Sequence, residues 1–248
     1  PDVCAGVRCS APASVRCPWS AHGVAAGVVP GQNERSVLNP HLTLEKLPPG
    51  AVAATSRTRR AAQLQALRPD LNIVPIRGNV GTRLQKLADL DEMDATILAA
   101  AGLERLHFQI RADGRLSQLP HHSRANSDPL PDGILASPIE PNEMLPCVGQ
   151  GAIGIEIRDD SAEAAEICGV LNHANTFQAV TAERTFLRAM GGGCQSPVGA
   201  YADLLGHELR LRAVSFQSGP ARRAELRRIP REAVALGEAV AALLHPNV

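Results

Sequence analysis

The chain has 248 residues, zero formal net charge, 44% hydrophobic residues and only 2% aromatic ones. Its core must therefore be built from Ala, Val, Leu and Ile, and a general affinity for nucleic acid or an anionic membrane, which needs a basic excess, is not expected. No run of about 18 apolar residues marks a membrane span, and no basic-then-apolar start marks a signal peptide, so a cytoplasmic protein is expected.

Residues 1–41 are rich in Pro, Gly, Cys, Ser and Ala and keep no lasting periodicity. An irregular segment is expected there, with 23–29 as its one strand candidate. Cys4, Cys9 and Cys17 lack the spacing of a zinc site and only His22 follows them, so free thiols and no metal are expected. From Leu42 the pattern becomes orderly. A strand is expected over 51–55, then Thr55 and Ser56 as helix caps and a helix over 57–68 with Ala61, Leu64 and Leu67 on one face. A second strand covers 71–76, and Asn79 caps a helix that turns Val80, Leu84, Leu87 and Leu90 inward. A third strand covers 94–99, and a further helix opens over 102–106. This alternation predicts a parallel α/β sheet, in which ligands sit beyond the carboxyl ends of the strands and face helix N-termini.

Residues 109–143 read as a long polar loop in which His121 and His122 are a solvated pair. An apolar, Gly-bearing strand is expected over 148–157, followed by helices over 161–172 and 176–190. Three glycines then break the pattern. Strands over 198–204, 208–215 and 221–229 look antiparallel, and Pro230 suits the first position of a closing helix that runs to 244. The end of the chain is thus a small α+β unit.

Two features carry chemistry. Arg59, Arg60, Arg77, Arg83 and Arg105 all fall where strands end or helices begin, so all five are expected at one edge of the sheet. A cation near a helix N-terminus opposes the macrodipole at roughly 0.3–1 kcal/mol. Several together imply a compensating anion, and guanidinium forks suit a ligand with several carboxylates. The alternative is a surface scatter, because Lys46 and Lys86 are the only lysines and every other cation is arginine. The second feature is Cys194, between Gly191-Gly192-Gly193 and Gln195. It is either a small buried hydrophobe or an exposed thiol, and with no His or Asp close in sequence, attachment is preferred to nucleophilic catalysis. Neither a P-loop nor a dinucleotide turn is present, so no nucleotide is indicated.

The stretches ATSRTRRAAQLQALRPDLNIVPIRGNVGTRLQKL (54–87), DATILAAAGLERL (94–106), LPCVGQGAIGIEIR (145–158) and AVTAERTFLRAMGGGCQSPVGAYA (179–202) resemble the porphobilinogen deaminase family, also called hydroxymethylbilane synthase, over residues 42–248. The resemblance implies a transferase that joins four porphobilinogen molecules into a linear tetrapyrrole with loss of ammonia. It implies a dipyrromethane cofactor held by a thioether at Cys194, with Ser56, Arg59, Arg60, Arg77, Arg83 and Arg105 binding carboxylates of cofactor and substrate. It further implies periplasmic-binding-protein-like α/β domains plus the small C-terminal α+β domain, in a cytoplasmic monomer without nucleic-acid or membrane partners. On this basis 42–145 is the second α/β domain, 146–170 a strand and helix returning to a first domain that is largely missing, and 171–248 the cofactor-carrying domain. Two departures stand out. The chain holds no Lys-Asp pair, so the family's catalytic aspartate has no counterpart and the catalytic residue is unknown. Arg57-Thr58 stands where the family usually shows Ser-Leu. An inactive fragment of the enzyme and, less favoured, a solute-binding protein are the alternatives.

Overall fold

The computed structural model describes residues 25–30, 43–89, 92–118, 131, 133–152, 157, 160–193 and 195–245. The chain divides into two compact units, one of residues 23–144 and one of residues 145–248 with 1–22. Cys4, Cys9, Cys17, His22, Leu90, His121, His122 and Cys194 lie outside the described residues.

The unit of residues 23–144 holds, in chain order, β1 (Ala25–Pro30), β2 (Val52–Ala54), α1 (Thr58–Leu67), β3 (Asn72–Val74), α2 (Val80–Asp89), β4 (Ala95–Ala99), α3 (Ala100–Arg105), β5 (Phe108–Ile110), β6 (Leu116–Gln118) and β7 (Ile134–Ile139). Five strands form one sheet in the order β3-β2-β4-β1-β7. β2 runs parallel to β3 and β4, whereas β1 is antiparallel to both β4 and β7. The sheet is therefore mixed, not purely parallel as the strand–helix alternation predicts. The strand candidate near the start of the chain enters the sheet between β4 and β7, a pairing too remote in sequence for local pattern to reveal. β7 carries Pro138 and lies at the sheet edge, the position a residue without an amide hydrogen tolerates.

β4 is buried over its first four residues, and its successive side chains point to opposite faces. Ile97 packs with Ala53, Leu64, Leu71 and Ile139 on one side, and Leu98 with Leu84, Leu87, Leu103 and Phe108 on the other. Two polar bonds pin the parallel strands. Thr96 Oγ1 donates to Ala54 O at 2.9 Å, and the Val52 amide donates to Asp94 Oδ2 at 2.7 Å. Arg68, just past α1, is a clasp. Its guanidinium donates to both Asp70 carboxylate oxygens (2.7 and 2.6 Å), to Leu44 O (2.8 Å) and to Leu47 O (3.1 Å), so it holds the 3-10 turn Leu44–Lys46.

Several local expectations need correction. The buried stripe of α1 is Arg59, Arg60, Gln63 and Leu64, while Leu67 is exposed; polar side chains replace the apolar face read from the pattern. The N-cap of α1 is Arg57, one residue beyond the expected caps, and it makes no side-chain cap bond; the Ser56 hydroxyl is directed to Ile76 O instead. Residues 109–143 are not one loop: β5 and β6 pair as a hairpin and β7 follows. α3 begins at Ala100, so Arg105 closes that helix instead of opening it.

The unit containing 145–248 holds α4 (Ala162–Val170), α5 (Ala174–Ala189), β8 (Val198–Leu205), β9 (Glu208–Ser215), β10 (Arg222–Arg228) and α6 (Ala233–Leu244). The three strands form an antiparallel sheet in the order β10-β9-β8, as their alternation predicts. One face, from Ala200, Ala202, Leu209, Leu211 and Ala213, packs on Ala182 and Phe186 of α5 and on Leu236 and Val240 of α6. Pro230 opens a 3-10 turn that leads into α6. Arg222 donates to Leu243 O and His245 O and so meets orphan carbonyls at the end of α6. Residues 148–151, expected within a strand, are in turn conformation, with Gly149 and Gly151 at positive φ; residues 153–156 lie outside the described residues. Among the described residues, no helix is long and apolar enough to cross a membrane.

Candidate functional site

Parallel pairing brings the carboxyl ends of β2 and β3 to one edge of the sheet, and the chain folds there into a compact polar corner. Ser56 Oγ donates to Ile76 O at 2.6 Å, which ties the start of α1 to the segment leaving β3. Gly78 follows at φ 126°, and a Cβ there would sit 2.7 Å from Thr82 Cγ2, so only glycine fits the approach to α2. Asn79 then caps α2 as expected. Its Oδ1 accepts from the Thr82 amide at 2.7 Å and from the Thr82 hydroxyl at 2.8 Å.

The arginines divide by environment. Arg59 and Arg60 are each only 7% exposed, and Arg60 Nη1 donates to Ile97 O at 2.7 Å. They are thus interior groups of α1, not rim groups. Arg77 is exposed and its carbonyl accepts from Lys86 Nζ. Arg83 is half-buried and its Nε donates to Gly78 O at 2.9 Å. Burial, and after it the charge of Arg57, push the Arg83 guanidinium below its ordinary pKa. Arg105 ends α3, with its side chain outside the described residues.

Arg57 is the group that sequence reasoning set aside. It is exposed at the N-cap of α1, and its charge is felt by Arg83. Among the described residues, no carboxylate pairs with Arg57, Arg77 or Arg83, and no acidic residue occupies the first turn of α1 or α2. Two positive helix ends and the guanidiniums of Arg57 and Arg83 therefore share a corner without a described counter-ion, and Arg77 lies on the segment that enters it. Such a corner can hold carboxylates or phosphates. The sequence signal was there: Arg57 stands directly after Ser56 and two residues before Arg59.

In the other unit, the end of α5 presents the glycine run. Gly191 lies at φ 62°, with its amide bonded to Arg188 O and that of Gly192 to Leu187 O, the paired bonds of a helix ended by a left-handed residue. Gly193 and Ser196, which flank the Cys194-Gln195 pair in sequence, are joined twice: the Gly193 amide donates to Ser196 Oγ at 2.8 Å and the Ser196 amide to Gly193 O at 3.0 Å. A second unforeseen group, Glu183, lies buried on α5. Its Oε2 accepts from the Gly149 amide at 2.6 Å and its Oε1 from the Ala202 amide at 2.8 Å.

A family model described as porphobilinogen deaminase, dipyromethane cofactor binding domain, matches residues 20–166, and one described as porphobilinogen deaminase, C-terminal domain, matches residues 177–245. The first match starts ahead of β1, earlier than the motifs that carry the resemblance. A porphobilinogen deaminase from Roseiflexus sp. (strain RS-1) is 47% identical over 178 residues, which is 72% of this chain and 51% of that protein. One from Natranaerobius thermophilus is 40% identical over 178 residues, 72% of this chain and 50% of that protein. The chain spans about half the length of these curated relatives.

Proposed function

The chain belongs to the porphobilinogen deaminase family, and from that premise we propose that it serves the stepwise condensation of four porphobilinogen molecules into hydroxymethylbilane with release of ammonia. One structural observation carries the reading: Arg83 is half-buried at the start of α2, close enough to Arg57 to feel its charge, with no described carboxylate on either. Pyrroles bearing acetate and propionate supply the anion that such a corner lacks.

The donor set fits a dipyrromethane, whose carboxylates match guanidinium forks. Arg77, Arg83 and Ser56 would hold it in this unit, joined by Arg57, with Arg59, Arg60 and Arg105 assigned by family motif and Cys194 as the thioether anchor. Bound there, the cofactor supplies the pyrrole end on which the product chain is extended. The protein's own part is to bind and orient. Gly78 O fixes Arg83 through Nε, which leaves its Nη atoms for a carboxylate. Partial burial strengthens that attraction relative to water. Ser56 Oγ, whose hydrogen is given to Ile76 O, remains an acceptor. No catalytic carboxylate is assigned in this chain, because the family's Lys-Asp motif has no counterpart here. The unit of residues 23–144 is read as one of two periplasmic-binding-protein-like domains, in a monomeric, cytoplasmic protein.

Intact-mass analysis of the purified chain tests the reading. An added mass of two pyrrole rings located on Cys194, absent in Cys194→Ser and reduced in Arg83→Ala, is the expected result. An unmodified thiol together with no product from porphobilinogen supports the inactive-fragment alternative, and an adduct that persists in Cys194→Ser refutes the anchor.

A further inference from the structure

β8 is an edge strand of the C-terminal sheet, and the amides of Ala200 and Ala202 both point away from β9 along its outer edge. The first meets Pro146 O at 3.1 Å, as a neighbouring strand would. Beyond Pro146 the chain turns away, with Gln150 N bonded to Cys147 O and Ala152 N to Gly149 O. The Glu183 carboxyl fills the position thus vacated. One oxygen takes the Ala202 amide and the other takes the Gly149 amide of the departing turn. A single side chain on α5 therefore substitutes for backbone at the sheet edge and fastens the 147–152 turn to it.

We propose that Glu183 is a releasable clasp, which docks the 147–152 turn on the outer edge of β8 while its carboxyl is neutral and loosens when the carboxyl ionises. Two conditions make it so. The carboxyl is buried, and no described cation pairs with it. The charged groups around it do not favour ionisation either. Asp203 on β8 repels it, although Asp203 is itself bonded to Arg210 and lies near Arg212 on β9. Tyr201 on β8 feels the Glu183 charge in turn. The turn offers Cys147 and Gln150, and α6 meets α5 here through Gly237, which has no side chain. Burial first, opposed by the two amides and reinforced by Asp203, brings the carboxyl to about 7.

The sign follows from linkage. The docked carboxyl titrates near 7 and an undocked, hydrated one near its ordinary 4.5. Docking is therefore strongest below the lower value, weakens as pH rises between the two, and has lost this contribution above the upper one. The inference does not depend on the proposed reaction, because the readout needs neither cofactor nor substrate.

Hydrogen exchange of the whole chain, corrected for intrinsic rates, tests it at the Gly149 and Ala202 amides. Their protection should fall about 100-fold between pH 5 and 8, while amides of the α6 core fall far less. In Glu183→Gln the two amides should show no such slope, since the amide side chain cannot ionise. A wild-type slope no different from that of the α6 core, or an equal slope in Glu183→Gln, overturns the clasp. If that variant does not fold, carbon-13 spectra of the wild-type glutamate carboxyls decide: one titrating near 7 in step with the Gly149 amide shift supports it, and all titrating in the ordinary range refutes it.

Discussion

Gly237→Ala sets two known effects of opposite sign against each other. Alanine in a helix interior is favoured over glycine by about 1 kcal/mol. At this position, however, the added Cβ would lie 2.5 Å from Ala182 O and 2.8 Å from Phe186 N, both backbone atoms of α5 that no rotamer change can move. Relief requires the two helices to part by roughly 0.5–1 Å, which forfeits a quarter to a half of the dispersion energy of each affected contact. The affected contacts involve Phe186, Leu236 and Val240, all fully buried. Overpacking of this kind costs about 1–3 kcal/mol, at times more, so a net loss of about 2 kcal/mol is expected after the propensity gain. With a urea slope of roughly 2 kcal/mol/M, the unfolding midpoint should drop by about 1 M without a change in slope. Gly102→Ala in α3 is the control, because the nearest atom to its Cβ is Val80 Cγ2 at an ordinary 3.5 Å. It should gain about 0.5–1 kcal/mol. If both variants are stabilised alike, helix contact at Gly237 is not what requires a glycine there.

His107 follows α3 at φ 61°, the one described non-glycine residue in the left-handed region, so His107→Gly should be more stable than His107→Ala by about 1 kcal/mol in chemical denaturation, a comparison in which loss of the imidazole cancels. Arg68 holds the Asp70 carboxyl down from 3.8 to about 2. That depressed value contributes stability above the ordinary carboxylate range, which is lost as pH falls through about 2. Asp70→Asn should therefore be less stable than wild type at neutral pH, with the two acid-unfolding curves converging near pH 2 when followed by circular dichroism.

Legibility in the sequence tracked the range of the interaction. The C-terminal strands were found almost to the residue, because β9 alternates apolar and polar positions and a turn glycine, Gly206, sits between it and β8. Asn79 was legible as a cap because an N-cap needs only its own helix. Ser56 was misread because its hydroxyl is turned to Ile76 O, 20 residues on, and α1 starts one residue later, with Arg57 at its N-cap. Arg59 and Arg60 read as rim cations, yet they follow the spacing of the buried face with Gln63 and Leu64. Charge made them look exposed, while Ile97 O, 37 residues away, gives the Arg60 guanidinium a partner inside. Glu183 escaped notice for the same reason, since its two amides are 34 and 19 residues distant.

The place of β1 in its sheet bears on how the chain reaches that state. It leaves the ribosome before every other described strand, yet both its neighbours lie far downstream, β4 at Ala95–Ala99 and β7 at Ile134–Ile139. Until β7 has been made, β1 can pair with β4 on one side only, and its other edge stays open. Closing so long a loop is slow, and an open flank of this kind invites other chains. Nascent protein halted shortly after β4 should therefore be the form most in need of chaperone cover.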